Sequence, residues 1–196
     1  MEVLWLAFGL GVAVGIAHLT GIVVSIVTEY RYWPPGARDR RFYATWTLSN
    51  ALNVAILAVV VLDWNGLGFP RPETLVVGGV LFVGGYAVAI KGGRDLGFEQ
   101  TLGLEGEMQA DGLYRYSRHP QYTGYVVATV GAWLLVGSAD ATVLLGIYLS
   151  WWLTLPLAEE PWLREQYGEA YERYCERVPR FVDLRSPSPP ADDAGY

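Results

Sequence analysis

The chain has 196 residues, and 52% of them are hydrophobic; they are gathered in long runs, which excludes an ordinary soluble domain. A net charge of −6 excludes a nucleic-acid partner, which calls for a basic surface. The single Cys and two widely separated His leave no internal disulfide and no metal-ligand pattern.

Five apolar runs read as membrane-spanning helices, at about 3–27, 44–62, 74–90, 122–136 and 141–157. The first is too long for a removable signal and lacks a preceding basic residue, so it is expected to be a true span. It contains "GVAVG" (11–15), a small-residue helix-packing pattern, and His18. The expected partner of His18 is Asn50 or Asn53 on the second span; a proton-accepting role toward a bound substrate is the competing reading. The polar turn "GSAD" (137–140) makes the last two spans a hairpin.

The segments between the spans carry a strong charge bias. Arg31, Arg38, Arg40 and Arg41 lie in the first, and Lys91, Arg94, Arg115 and Arg118 in the third. Five more Arg lie in the tail, leaving only Arg71 on the opposite side. The positive-inside rule then predicts an integral cell-membrane protein with its N-terminus outside and its C-terminus cytoplasmic. "EEPWLREQYGEAYERYCERVPRF" (159–181) carries Leu163, Tyr167, Tyr171, Tyr174 and Val178 at helical spacing. It is expected to form an amphipathic helix, starting at Pro161 and ending before Pro179. Residues 182–196, "VDLRSPSPPADDAGY", are acidic and Pro-rich and are expected to be a disordered tail. The fold class is thus all-α: a helical bundle of about five spans plus a C-terminal amphipathic helix, with 1–181 as a single domain.

Two polar clusters fall at the cytoplasmic end of the last hairpin. In "GLYRYSRHPQYTGY" (112–125), Pro120 suits the first turn of a helix. The free N–H groups there, with Arg118 and His119, form a receptor for an anionic group. Glu159 and Glu160 stand opposite and suit a cation or Arg118. Bland readings compete: Arg115 and Arg118 snorkelling to lipid phosphates, the Glu pair as a solvated helix start, the aromatics as an interfacial belt.

The two blocks "DLG…DGLYRYSRHPQYTGY" and "EEPWLREQYGEAYERYCERVPRF" resemble the isoprenylcysteine carboxyl methyltransferase and phospholipid methyltransferase group of integral membrane enzymes, over about residues 91–181. The resemblance implies S-adenosylmethionine as methyl donor, in a cytoplasm-facing pocket capped by the C-terminal region. By position it implies Tyr114, His119, Pro120, Gln121, Tyr122 and Glu159 as cofactor-binding residues, with backbone contacts from Gly106, Glu107, Met108 and Gln109. Tyr122 and Arg118 are expected to position the reactants; no metal is implied. The acceptor would be apolar or lipid-linked and would arrive from the bilayer. The carboxyl methyltransferases of the group carry an Arg four residues before the cofactor Glu; Leu155 stands there in this chain. A carboxylate clamp is therefore missing, with Arg94 and Arg115 as candidates to replace it. Two other readings remain open: a non-catalytic membrane protein on the same scaffold, and an NADPH-dependent membrane reductase.

Overall fold

In the computed structural model, residues 1–68 and 71–182 are described. They form seven α-helices: α1 (Glu2–Val27), α2 (Arg40–Leu62), α3 (Pro72–Leu96), α4 (Phe98–Thr101), α5 (Pro120–Val136), α6 (Ala139–Tyr167) and α7 (Glu169–Arg177). A single 3-10 turn covers Gly112–Arg115, and no named strand occurs among the described residues. The tail expected at 182–196 lies, from residue 183 on, outside the described residues.

Local sequence sets the helix ends. Asp39 caps α2, its carboxylate accepting from the backbone N–H of Arg41 (2.8 Å) and Phe42 (3.3 Å). Pro72 and Pro120 occupy the first turns of α3 and α5, where a missing N–H costs nothing. Gly97 (φ 98°) ends α3 and Gly168 (φ 54°) ends α6, in backbone regions that disfavour other residues.

Four helices, α1, α2, α3 and α6, are long and apolar enough to cross a membrane. The fifth expected span, α5, has 17 residues, or about 25 Å of helix, short of the ~30 Å hydrocarbon core. It packs between α3 and α6, both of them longer. Large apolar side chains such as Leu6, Val61 and Val80 are exposed on the outside, as lipid-facing surfaces require.

The α3–α5 contact is a seam of small residues. Gly78, Gly85 and Gly92 recur every seven positions along α3 and face Gly131, Gly124 and Gln121 of antiparallel α5. A Cβ added to Gly85 would lie 2.4 Å from the Ala128 backbone nitrogen, and one on Gly124 would lie 2.5 Å from that of Ala89. The two backbones therefore touch, as small residues permit in lipid. The "GVAVG" glycines do the same for α1: a Cβ on Gly11 would strike Leu144 of α6 and Ala55 of α2.

Two expectations are corrected. The segment 159–181 is not one helix beginning at Pro161. Instead, α6 runs unbroken through Glu159, Glu160 and both internal prolines, Pro156 and Pro161, to Tyr167. The break falls at Gly168, whose backbone conformation suits glycine better than any residue before it. The predicted apolar stripe survives across this break, with Tyr171, Tyr174 and Val178 buried against Leu163 and Tyr167. His18 does not reach Asn50 or Asn53, which bond back to the Trp46 and Ser49 carbonyls of their own helix. Its Nδ1 lies 2.7 Å from the hydroxyl of Tyr32, which the α1–α2 loop folds inward over Gly21.

The α1–α2 loop, the α3–α5 connection and the C-terminal segment meet at one end of the bundle. Gly36 N–H donates to Gly103 carbonyl (2.9 Å), and Glu105 N–H donates to Gly36 carbonyl (3.2 Å). Arg38 pairs with Glu99 at 2.7 Å, and Arg31 with Glu165. At the far end, Asn65 and Leu67 N–H groups donate to the carbonyls of Val136 and Gly137 (both 2.9 Å).

Candidate active site

Where the loops and tail meet, α5 starts and α6 passes its Glu pair. His119 is the N-cap of α5, and its backbone N–H is fixed by Ser117 Oγ at 3.1 Å. Ser117 in turn donates to the Arg180 carbonyl (3.1 Å), and Arg118 N–H donates to that of Pro179 (2.9 Å). The chain just before α5 is thus laced to the chain just after α7.

The two glutamates have different surroundings. Glu160 is 1% exposed, accepts from two guanidinium groups and is ion-paired with a third. Arg180 grips it with two bonds of 2.8 Å, Arg118 approaches at 2.9 Å and 3.2 Å, and Arg164 lies at 3.6 Å. Parallel bonds from a guanidinium to a carboxylate are the strong form of this pair. Arg118 also donates to the carbonyls of Cys175 (3.1 Å) and Val178 (3.3 Å), so it fastens the end of α7 to the bundle. The carboxylate beside Arg180 holds that guanidinium's pKa above its ordinary value.

Glu159 faces a cavity instead. Its Oε2 accepts from the Tyr122 hydroxyl at 2.8 Å and lies 3.6 Å from His119 Nδ1. The His119 and Tyr122 rings stack with centroids 5.4 Å apart. The cavity encloses about 550 Å³ of free space, counted out to its mouth. Tyr114, Tyr171 and Tyr174 close it from the tail side. Tyr174 donates to the Tyr114 carbonyl at 2.7 Å, while the Tyr171 hydroxyl is buried without a partner. Burial, reinforced by the Glu159 charge, pushes the Tyr114 phenol well above the usual value, so it stays protonated as a donor.

Of the ten residues expected to bind a cofactor, Glu107, Met108, Gln109, Tyr114, His119, Gln121, Tyr122 and Glu159 line this cavity. Gly106 and Pro120 do not. Gly106 serves through its carbonyl, which accepts from the Tyr167 hydroxyl at 2.9 Å and so holds the 106–109 strand over the cavity. Pro120 is buried as the first helical residue of α5. Arg118 lines the wall, but its donors are committed to Glu160 and two carbonyls. Gln100 and Thr101 of α4 also line it and carried no signal in the sequence. Tyr167, Tyr171 and Tyr174 were legible only as an apolar stripe. Among the described residues no group of three or more His, Cys, Asp or Glu is placed to hold a metal ion.

A second cavity of about 690 Å³ lies deeper in the bundle. Thr101, Gln121 and Tyr122 line both and form the partition between them. Leu155, 4% exposed, is on the wall of the deeper one. Neither Arg94 nor Arg115 reaches either wall; Arg115 pairs with Asp111 at 2.9 Å.

This geometry accompanies a match of residues 74–170 to the model of the family described as phospholipid methyltransferase. Over that segment the chain is similar to the phospholipid methyltransferase family. Three curated relatives are similar over part of the chain. Protein-S-isoprenylcysteine O-methyltransferase of Schizosaccharomyces pombe is 33% identical over 75 residues, 38% of this chain and 32% of that protein. A probable protein-S-isoprenylcysteine O-methyltransferase of Oryza sativa subsp. indica is 32% identical over 68 residues, 34% of this chain and 36% of that protein. Protein-S-isoprenylcysteine O-methyltransferase B of Arabidopsis thaliana is 25% identical over 77 residues, 39% of each chain. The chain thus spans about a third of the length of the curated relatives it matches. No solved structure matches it significantly. The segment that matches the phospholipid methyltransferase model contains α3 from residue 74 on, α5 and all of α6, and so both the glycine seam and the Glu pair.

Proposed function

We propose that the protein is an S-adenosylmethionine-dependent methyltransferase acting on an apolar or lipid-linked acceptor at the cytoplasmic membrane face. The observation that carries this reading is the Glu159–Tyr122–His119 cluster in the wall of a tyrosine-roofed cavity at one end of the bundle. The cytoplasmic placement rests on twelve basic residues of the described chain falling in the segments that meet at this end, against Arg71 alone elsewhere.

The cavity chemistry fits the cofactor. Arg118, a guanidinium on the cavity wall, offers positive charge to an anionic end. The buried, unpartnered Tyr171 hydroxyl supplies a free hydrogen-bonding group, and Glu159 accepts from ammonium or hydroxyl donors. The faces of Tyr114, Tyr171 and Tyr174 suit a cation. When bound, S-adenosylmethionine supplies an electrophilic methyl group on a cationic sulfonium.

The remaining work belongs to the chain. Tyr122 is held by Glu159 in the partition between the two cavities, so its ring sets where two reactants meet. Holding reactants at near-attack distance contributes up to ~7–11 kcal/mol of barrier lowering. The tyrosine roof and the Glu160 lock exclude water from the reacting pair. The acceptor reaches the partition from the membrane side, through the deeper cavity.

Calorimetric titration of S-adenosylmethionine into detergent-purified protein tests the reading. Wild type should bind in the micromolar range. Glu159→Gln should weaken binding by about 10- to 100-fold, as loss of charged hydrogen bonds worth ~1.5–3 kcal/mol does. His119→Ala should weaken it by about tenfold. Absence of binding by folded wild type would overturn the proposal.

A further inference from the structure

The deeper cavity has a chemistry of its own. It lies between α1, α2, α5 and α6, and the Trp33 loop folds in to close it. No Lys, Arg, Asp or Glu lines it. Two indole N–H groups on its wall, Trp33 Nε1 and Trp152 Nε1, are buried and complete no hydrogen bond of normal geometry; only the Tyr122 and Tyr148 hydroxyls stand near them, as distant acceptors. Buried donors of this kind are rare and costly unless something accepts from them. His18 reaches the same wall, its Nδ1 paired with the Tyr32 hydroxyl. The Trp152 ring stacks on Tyr125, with centroids 4.2 Å apart and planes 21° apart, giving the chamber a flat aromatic wall.

The chamber also continues toward lipid. Asn53 and Tyr148 line both it and a wider apolar groove of about 980 Å³, bordered by Leu57 and Val60 of α2 and Phe82 of α3. Leu57 is 63% exposed on the lipid-facing surface. The groove, the chamber and the Glu159 cavity therefore lie in a row, sharing the side chains of Asn53 and Tyr148 and then those of Thr101, Gln121 and Tyr122.

We infer that the chamber takes the head of an uncharged, hydrocarbon-tailed acceptor whose reactive group is a hydroxyl on a planar ring, of the phenol type, with its tail in the α2–α3 groove. A carboxylate head would lie in a chamber without a cation, at a desolvation cost of several kcal/mol. A protonated amine would leave the two indole donors unanswered. A hydroxyl oxygen accepts from them with a small shift of either indole, and its ring packs on Trp152. The word "acceptor" rests on the methyl-transfer reading; the head chemistry does not.

The test compares three probes that share a tail and a ring: 4-dodecylphenol, 4-dodecylbenzoate and 4-dodecylbenzylammonium. Each is titrated into full-length protein in nanodiscs at pH 7, with saturable quenching of tryptophan fluorescence measured against empty nanodiscs. The phenol should saturate at a concentration at least tenfold below either charged probe. Trp33→Phe and Trp152→Phe, which keep a ring and remove the N–H, should each weaken the phenol threefold or more. Both variants should leave S-adenosylmethionine affinity within twofold of wild type. Equal or tighter binding of the benzoate or the ammonium probe overturns the inference, as does phenol binding indifferent to both variants. No saturable binding of any probe by protein that binds S-adenosylmethionine overturns this inference alone. Phenol binding by protein that does not bind S-adenosylmethionine supports the chamber and overturns the methyl-transfer reading.

Discussion

Glu160→Gln should release the C-terminal segment from the bundle and destabilise the protein by about 3–5 kcal/mol, the usual cost of breaking a buried ion pair from one side. Arg118 would then be left with its side chain only 11% exposed and no anion. Its remaining bonds to the Cys175 and Val178 carbonyls would not offset the charge. The roof tyrosines are on the same segment, so S-adenosylmethionine affinity should fall with stability, by 100-fold or more. Limited proteolysis should cut wild type slowly within residues 163–182 and the variant rapidly. An unchanged protease pattern and thermal midpoint would show that the arginine cluster does not hold the roof. Glu160→Asp, which keeps the charge but shortens the reach, should fall between the two.

The second large effect concerns neighbouring glycines on α3. Gly85→Ala should prevent α3 and α5 from closing, because its Cβ would lie 2.4 Å from one backbone atom of α5 and 2.6 Å from another. Neither contact can be relieved by a rotamer change, so the cost should reach the upper end of overpacking penalties, about 3 kcal/mol or more. Gly84→Ala, one residue away, meets nothing within 4 Å and should be neutral or slightly stabilising. Thermal unfolding of the two variants in the same detergent decides the matter. Equal midpoints would mean that the seam tolerates separation.

Much of the site was legible because local rules govern its parts. Pro120 marked the start of α5, and the Glu pair marked the point where α6 leaves the apolar layer. The hairpin turn then put both at one end. What the sequence could not convey were pairings made by tertiary contact. Arg118 looked like a ligand for an anion, and its actual partner lies forty-two positions away in Glu160. His18 found a loop tyrosine rather than an asparagine on the next helix, because Tyr32 is carried inward by a loop whose path no periodicity describes. Pro161 was read as a helix start, yet a proline costs one bond in a helix that neighbours can stabilise, and α6 continues through it. The deeper chamber was legible only as an apolar patch around Trp151, Trp152 and Leu155, since its wall is assembled from five helices and the α1–α2 connection.

The partition has a consequence for how such a protein diversifies. Gln121 and Tyr122 present one side to each cavity, and Tyr122 is tethered to Glu159 on the first. Any substitution there changes both compartments together. New acceptors are therefore accommodated at the far wall, on the inward-folded loop, α2 and the middle of α6, where replacements leave the Glu159 side untouched. Trp33, Ser49 and Trp152 are the positions where selection, natural or in a library, can retune the molecule one compartment at a time.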